Sequence, residues 1–306
     1  MKTVFIDGSA GTTGLRIAER LQQRDDIELL TLPESLRKDP AARREALNAA
    51  DVSFLCLPDA AAKEAVAMAT SPDAVIIDAS TAHRTDDAFV YGFPELTGQR
   101  EKIQTAKRIA NPGCHATGFI ALVRPLTEAG LLAKDSRLSC FSLTGYSGGG
   151  KKMIADYEAP ENAAALRAPR MYGLSQKHKH LPEMQKVCGL TEAPVFCPVV
   201  SSYYAGMQVT VPLFAADVKG SAEEIKALYR SYYNSGVVKF AETDENGFLS
   251  AGTFAGNDGM TVSVFGGEDR VILVSRFDNL GKGASGAAIQ NMNLALGMKE
   301  TEGLAL

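Results

Sequence analysis

One of the five cysteines in this 306-residue chain sits in a setting unlike the other four. Cys114 lies in the stretch IANPGCHATGFIALV, residues 109–123, between a Pro-Gly turn and an apolar run. Phe119, Leu122, Val123 and Leu126 recur at helical spacing after it. A thiol in the first turn of a helix feels the positive helix end, which favours the nucleophilic thiolate. The N–H groups of that turn can also steady an oxyanion on a carbonyl under attack. The competing reading is a small buried hydrophobe. Cys56, Cys140, Cys188 and Cys197 fit that reading, each within or beside an apolar run. A thiolate nucleophile needs an acid/base partner, and the chain has four histidines, His83, His115, His178 and His180. His178 and His180 are two apart, so on an extended chain they face opposite sides. One then enters a pocket and the other faces solvent or substrate. Glu183, three residues after His180, is placed to orient that imidazole. A His-x-His metal site needs a third ligand. The sequence offers no clear one, so no metal is expected.

Other stretches suit anions. Gly8, Gly11 and Gly14 stand in GSAGTTG between an apolar strand and a helix. Glycines there permit a tight turn and leave backbone N–H groups bare for a phosphate, with Ser9, Thr12 and Thr13 as added hydroxyls. The pattern is G-x-x-G-x-x-G, not the dinucleotide fingerprint G-x-G-x-x-G, so a plain Gly-rich connection is the alternative. The region after the second strand, LLTLPESLRKDP, offers Glu34 for a ribose hydroxyl but crowds it with Ser35, Arg37 and Lys38. A hydroxyl plus cations suits a 2′-phosphate better, which points to NADP(H). The alternative there is a solvated surface turn. DASTAHR ends a strand with Ser80, Thr81, His83 and Arg84, and TGYSGGGKK ends another in glycines and lysines. Both are placed to meet a carboxylate or phosphate.

The elements that must carry these groups fall into two textures. Lys2 to Asp7, Ile27 to Leu32, VSFLCLP and AVIIDAS read as short buried strands. Between them lie helical stretches: LRIAERLQQ with Leu15, Ala18 and Leu21 on one face, a polar helix with Asp39 as N-cap and Pro40 in its first turn, and AAAKEAVAMA. Alternation of this kind predicts right-handed βαβ units and a doubly wound parallel sheet. After Cys114, longer strands rich in β-branched and aromatic residues predict an α+β unit with a mostly antiparallel sheet. HATGFIALVRPLTEAG and SAEEIKALYRSYYNS, residues 115–130 and 221–235, are its helices, and Pro125 should kink or end the first. GASGAAIQNMNLALGM closes the chain with a small-residue helix, Ile289, Met292 and Leu296 on one face, expected to pack back on the first unit. The expected domains are therefore 1–113 with 284–306, and 114–283.

Composition sets bounds. The chain is 45% hydrophobic and 22% charged, with a formal net charge of -4. That is an ordinary globular composition with no basic surface for nucleic acid or anionic lipid. The N-terminus turns to acid and glycine after three apolar residues, too short a run for a secretory signal. No apolar stretch approaches the roughly 20 residues of a membrane span. With an odd cysteine count and no C-x-x-C pair, a cytoplasmic, disulfide-free protein is expected.

Taken in order, GSAGTTG, FLCLPD, IDASTAHR, YGFPEL, ANPGCHATG, GYSGGGKK, HKHLPEM and DNLGKGASGAAIQNMNLALG resemble the N-acetyl-gamma-glutamyl-phosphate reductase family, in its shorter type. The resemblance runs from residue 1 to about 300. It implies a Rossmann-type domain, a catalytic α+β domain inserted before the last helix, and a homo-oligomer, dimer or tetramer. It implies NADPH-dependent reduction of an acyl phosphate through a thioester on Cys114, within arginine biosynthesis. His180, in His180-Leu181-Pro182-Glu183, is the implied acid/base, supported by Glu183. Asn279 is implied as the nicotinamide carboxamide contact, with Ser80 also on the cofactor. Arg84, Asn111, Ser147, Gly148 and His178 are implied to face the substrate. His115 stands where the longer type has an aromatic residue, which leaves open whether it tunes the thiol. Aspartate-semialdehyde dehydrogenases share the architecture and the thiol chemistry but lack HKHLPE in this form. A reductase of another acyl phosphate, a Cys–His acyl hydrolase without nicotinamide and a non-catalytic NADP-binding regulator are the rivals.

Overall fold

The computed structural model describes residues 1–234, 236–242 and 244–306. They divide into two compact units, residues 1–113 with 284–304, and residues 114–283 with 305–306.

The first unit is built from β1 (Lys2–Asp7), α1 (Thr12–Leu21), β2 (Ile27–Leu30), α2 (Pro40–Ala49), β3 (Val52–Leu55), α3 (Asp59–Met68), β4 (Val75–Asp78), β5 (Val90–Tyr91), α4 (Gln99–Thr105) and β6 (Arg108–Ala110). Its six strands run in the order β2-β1-β3-β4-β6-β5, and every pairing is parallel. Parallel strands are covered on both faces, so they read as continuous apolar runs. One face buries Val4, Ile6, Phe54 and Ile77 against Ile17, Leu21 and the chain's final helix (Gly286–Ala295), which contributes Ile289 and Met292. The other face buries Phe5, Leu55 and Ile76 against Leu47 of α2 and Ala62 and Ala65 of α3. Helix α1 turns differently from the expected face. Gly14, Ile17 and Leu21 point inward, while Leu15 is 41% exposed. Asp39 caps α2 by accepting from Ala42 N–H at 2.8 Å, with Pro40 following it.

The second unit comprises α5 (Cys114–Glu128), β7 (Ser139–Gly145), α6 (Gly150–Glu158), α7 (Ala163–Leu166), β8 (Arg170–Met171), α8 (Leu181–Cys188), β9 (Val195–Ser201), β10 (Met207–Phe214), α9 (Ala222–Tyr232), β11 (Val238–Phe240), β12 (Met260–Gly266) and β13 (Arg270–Phe277). The seven strands run β11-β12-β13-β10-β7-β9-β8. Four pairings are antiparallel, while β7–β9 and β11–β12 are parallel. The parallel β7–β9 pair follows from the long helical crossover between them, which no hairpin could replace. Ser235, at the end of the helix expected over 221–235, lies outside the described residues.

Helix α5 lies tightly on this sheet. A Cβ at Gly118 would stand 2.4 Å from Val209 Cγ2, so only glycine permits the approach, and Ser275 Oγ donates to Gly118 O at 3.1 Å. Pro125 does not end the helix, which continues to Glu128. Proline has no N–H for the carbonyl four residues back, Ala121. The Tyr233 hydroxyl donates to Ala121 O at 2.6 Å, and the Tyr229 hydroxyl donates to Leu122 O. Two tyrosines from α9 and its C-cap thus answer the carbonyls that the proline disturbs, and the helix survives. No described helix is long and apolar enough to cross a membrane.

Candidate active site

Cys114 is the first residue of α5, following the Asn111-Pro112-Gly113 turn, and is half-buried. The sulfur therefore sits at the positive end of a 15-residue helix. Gly283 packs against the Cys114 Cβ. A Cβ there would come within 3.0 Å of Cys114 Cβ. The other cysteines are also free. Burial pushes the Cys56 thiol up to about 12 and raises those of Cys140 and Cys188 as well.

Three of the four histidines gather beside this thiol. Cys114 Sγ and ring nitrogens of His115 and His180 lie within 4.8 Å of one another. His178 and His180 do not face opposite sides as an extended chain would have them. Leu181 N–H donates to His178 O at 3.1 Å, closing a turn, and the two rings stand 4.8 Å apart. His180 is the residue before α8, 4% exposed, and Glu183 on the first turn of α8 is buried. His180 Nε2 and Glu183 Oε1 are 3.9 Å apart, too far for a hydrogen bond.

His115 has a different character. Its Nδ1 is 2.7 Å from Ser142 Oγ on β7, and its Nε2 is 2.6 Å from the Tyr172 hydroxyl just beyond β8. Burial first, then the nearby His178 and Lys179, push its pKa down to about 3. His115 is thus a neutral imidazole with both nitrogens engaged. The thiol and two imidazoles are donor types that zinc accepts. Both His115 nitrogens are already engaged, by Ser142 and Tyr172. Sequence reasoning missed Ser142 and Tyr172. No periodicity marks either, and only the fold brings β7 and β8 to the cysteine.

The glycine loop lies in the first unit, at the carboxyl end of β1, where the strand order reverses between β2 and β3. Ligands of doubly wound sheets bind at such a switch point. Gly8 has φ +86°, and a Cβ there would strike Cys56 O at 2.3 Å. Gly11 caps α1 without any side-chain hydrogen bond, so the N–H groups of the first turn are left for a ligand. Thr12 Oγ1 is buried and has no partner in the protein. An uncapped helix start, a close-packed glycine turn and an orphaned hydroxyl fit a dinucleotide phosphate. Ser9 and Thr13 are half-buried beside it. Asp7, at the end of β1, is not open to a ligand, because Arg43 holds it from α2 at 2.9 Å. Ser35, Arg37 and Lys38 are exposed on the turn after β2.

Several other expected ligand contacts are turned toward the protein. Ser80 spends its hydroxyl on Asp78 at 2.7 Å, and the same carboxylate oxygen meets His83 Nδ1 at 2.7 Å. Asn111 donates to Ala284 O at 3.0 Å and accepts from Asn291 at 3.1 Å. Arg84 braces the same region through Asn111 O and Ala79 O, each at 3.0 Å. All three belong to the first unit. In the second unit, Asn279 Nδ2 donates to Ser147 Oγ at 2.9 Å and its Oδ1 accepts from Gly206 N–H at 2.9 Å. Gly148 lies against the same amide, 3.4 Å from where its Cβ would be. Asn279 therefore buttresses the Ser147-Gly148 turn. Ser80 and Asn111 thus have protein partners within the first unit. A fully buried hydroxyl or amide takes whichever partners the fold supplies.

A phosphate-ready glycine turn in a parallel α/β unit and a helix-start thiol beside imidazoles are features of dehydrogenases of the covalent, thiol-dependent class. The family model for the semialdehyde dehydrogenase NAD binding domain matches residues 34–106, and that for the semialdehyde dehydrogenase dimerisation domain matches residues 114–279. Aspartate semialdehyde dehydrogenase II from Vibrio cholerae, solved in complex with ASA, has the same fold, with a TM-score of 0.71 at 15% identity over 97% of this chain and 98% of that one. The Francisella tularensis aspartate semialdehyde dehydrogenase is similar at TM-score 0.71 and 13% identity, covering 96% of this chain and 99% of its own. Curated relatives from Brucella suis and Brucella abortus, each called N-acetyl-gamma-glutamyl-phosphate reductase, are 48% identical over 96% of this chain and 98% of their own. The chain belongs to the N-acetyl-gamma-glutamyl-phosphate reductase family.

Proposed function

We infer that this chain is the NADPH-dependent reductase that converts N-acetyl-gamma-glutamyl phosphate to N-acetylglutamate 5-semialdehyde and phosphate, a step of arginine biosynthesis. The observation that carries the reading is the Cys114 sulfur at the start of α5, within 4.8 Å of His180. The thiolate attacks the acyl-phosphate carbonyl. A C–S bond forms, the C–O bond to phosphorus breaks, and phosphate leaves with the electron pair. NADPH, when bound, supplies the hydride that reduces the resulting thioester. The α5 N–H groups steady the oxygen as charge builds on it. The C–S bond then breaks, the aldehyde departs and the thiolate is regenerated. His180 holds the proton that this cycle moves, and Glu183 keeps the imidazole in place. Covalent capture splits one difficult step into two easier ones.

The cofactor's pyrophosphate belongs on the Gly8–Gly14 loop with Ser9, Thr12 and Thr13, and its 2′-phosphate on Ser35, Arg37 and Lys38. The substrate is read from Arg84, Ser147, Gly148 and His178. Five free cysteines fit the reducing cytoplasm. The chain works as a homo-oligomer, dimer or tetramer. The face of the seven-stranded sheet turned away from α5 supports this, since Phe141, Val195, Pro212, Phe214 and Ile272 are exposed along it. The test of activity is the reverse reaction, with N-acetylglutamate semialdehyde, phosphate and NADP+. Phosphate-dependent NADPH formation is expected in the wild type and none in Cys114→Ser. Absence in both would reject the reading.

A further inference from the structure

We propose that Tyr172 is a further residue of the reaction site, its hydroxyl presented to Cys114 as a hydrogen-bond donor by a relay running from Ser142 through His115. The proposal rests on the reading of Cys114 as the nucleophile. The relay is explicit in the geometry. Ser142 Oγ is 2.7 Å from His115 Nδ1, and His115 Nε2 is 2.6 Å from the Tyr172 oxygen. Ser142 and His115 are buried, so the pair is shielded from competing water.

A neutral imidazole carries one proton, so one nitrogen donates and the other accepts. His115 stays neutral at every physiological pH, because burial holds its pKa near 3. Two arrangements of protons are then available. If the Ser142 hydroxyl donates to Nδ1, the proton sits on Nε2 and is given to the Tyr172 oxygen. Tyr172 then keeps its own proton for an acceptor beyond the relay. If the order is reversed, Tyr172 donates inward to His115 and has nothing left to give. The acceptor that decides between them is the sulfur. Cys114 Sγ lies within 4.8 Å of a His115 ring nitrogen, and the Tyr172 oxygen is 2.6 Å from His115 Nε2, so His115 ties the phenol to the neighbourhood of the sulfur. Burial first, then the Cys114 charge, raises the Tyr172 pKa, so the phenol keeps its proton. A negative sulfur, or the oxyanion formed on attack, draws that proton outward.

The other titratable groups around the sulfur come from two segments. His178, Lys179, His180 and Glu183 lie on the turn into α8, and Asp278 and Lys282 flank the Gly283 contact. The His178 and His180 rings stand 5.7 and 5.5 Å from the His115 ring, centre to centre, as packing neighbours of the relay. Asp278 is taken up by the backbone N–H groups of Gly256 and Leu280. His180 serves the proton transfer already described. Tyr172 adds a donor that does not titrate in the working range, which separates stabilisation of negative charge from movement of the proton.

The experiment measures the pH dependence of Cys114 alkylation by iodoacetamide, read at that residue by mass spectrometry, in wild type, Tyr172→Phe and Ser142→Ala. Turnover is measured in parallel. Removing the donor should raise the alkylation midpoint by about one pH unit in Tyr172→Phe, with a smaller rise in the same direction in Ser142→Ala. The kcat of Tyr172→Phe should fall about 10- to 100-fold, with KM changed less than about threefold. At low pH the alkylation rate falls only about threefold, because a more basic thiolate is intrinsically more nucleophilic. An unchanged midpoint and kcat in Tyr172→Phe would overturn the proposal. A shift in Tyr172→Phe with none in Ser142→Ala would overturn the relay. Cys114→Ser with full turnover would overturn the nucleophile reading itself, and this proposal with it. Loss of turnover in Cys114→Ser alongside an unchanged Tyr172→Phe would reject the proposal alone.

Discussion

The proline inside α5 allows a quantitative test of how the helix that carries Cys114 is held. Tyr233→Phe keeps the ring and removes one hydroxyl, leaving the Ala121 carbonyl without the donor that reaches it at 2.6 Å. Ala121 is 0% exposed, so water cannot replace that donor. An unsatisfied buried acceptor costs about 1–3 kcal/mol. We take about 2 kcal/mol, which in a chain of this size lowers Tm by roughly 3 °C. The informative comparison is the same change in a Pro125→Ala background. The substituted alanine brings an N–H at the position that bonds Ala121 O in a regular helix, so the carbonyl is satisfied with or without the tyrosine. The cost of Tyr233→Phe there should fall to about 0.5–1 kcal/mol, a coupling of at least about 1 kcal/mol. Urea unfolding of all four proteins, followed by circular dichroism at one concentration, measures the cycle. Equal losses in the two backgrounds would refute the account, because the hydroxyl would then owe nothing to the missing proline N–H.

Other outcomes follow from the site. His180→Asn should lower kcat by about 10²–10⁴-fold, and His178→Asn much less. The reverse order in steady-state assays would assign the proton to the other ring. Arg37→Ala with Lys38→Ala should raise KM for NADPH while leaving that for NADH unchanged, and an unaltered ratio would remove the 2′-phosphate assignment. His115 has its folded pKa depressed from 6.5 to about 3. The unfolded chain therefore binds the extra proton between those values, and stability contributed by the neutral ring is present above pH 6.5 and lost as pH falls through the window. The wild type should lose up to about 1.4 kcal/mol per pH unit there through this group. His115→Gln should show a shallower slope in urea midpoints between about pH 6 and about pH 4. Phe141→Glu puts a charge in the exposed sheet face, and light scattering should report a smaller particle than wild type.

The parallel unit was legible because its strands are apolar on both faces and punctuated by turns. β1 spans Lys2–Asp7 as read, and the Asp39-Pro40 start of α2 stands as expected. Cofactor class and reaction came from the order of motifs, the thiol box above all. The orientation of α1 was not legible. Leu15, Ile17, Ala18 and Leu21 are all apolar, and only packing against β1 decides that Ile17 goes in and Leu15 stays out. The His178–His180 pair was misjudged because the period-2 rule assumes an extended chain, whereas a turn bends the backbone there. That α5 would run on past Pro125 was equally hidden from the sequence. A proline's local cost is fixed by sequence, but Tyr229 and Tyr233, which offset it, arrive from about a hundred residues away. Ser142 and Tyr172 carry no local signature, since their relation to His115 exists only once β7 and β8 share a sheet.

Gly283, whose missing side chain lets it nest on Cys114, is the last residue of the second unit's main segment, and Cys114 is the first. That segment therefore departs and returns at a single point. Within the first unit, Asn111 is bonded to Ala284, so the ends of that unit's two segments are also fastened together. The middle of the chain is thus a closed cassette threaded into a continuous nucleotide-binding frame. The residue that opens the cassette, and carries the reactive sulfur, packs against the one that closes it.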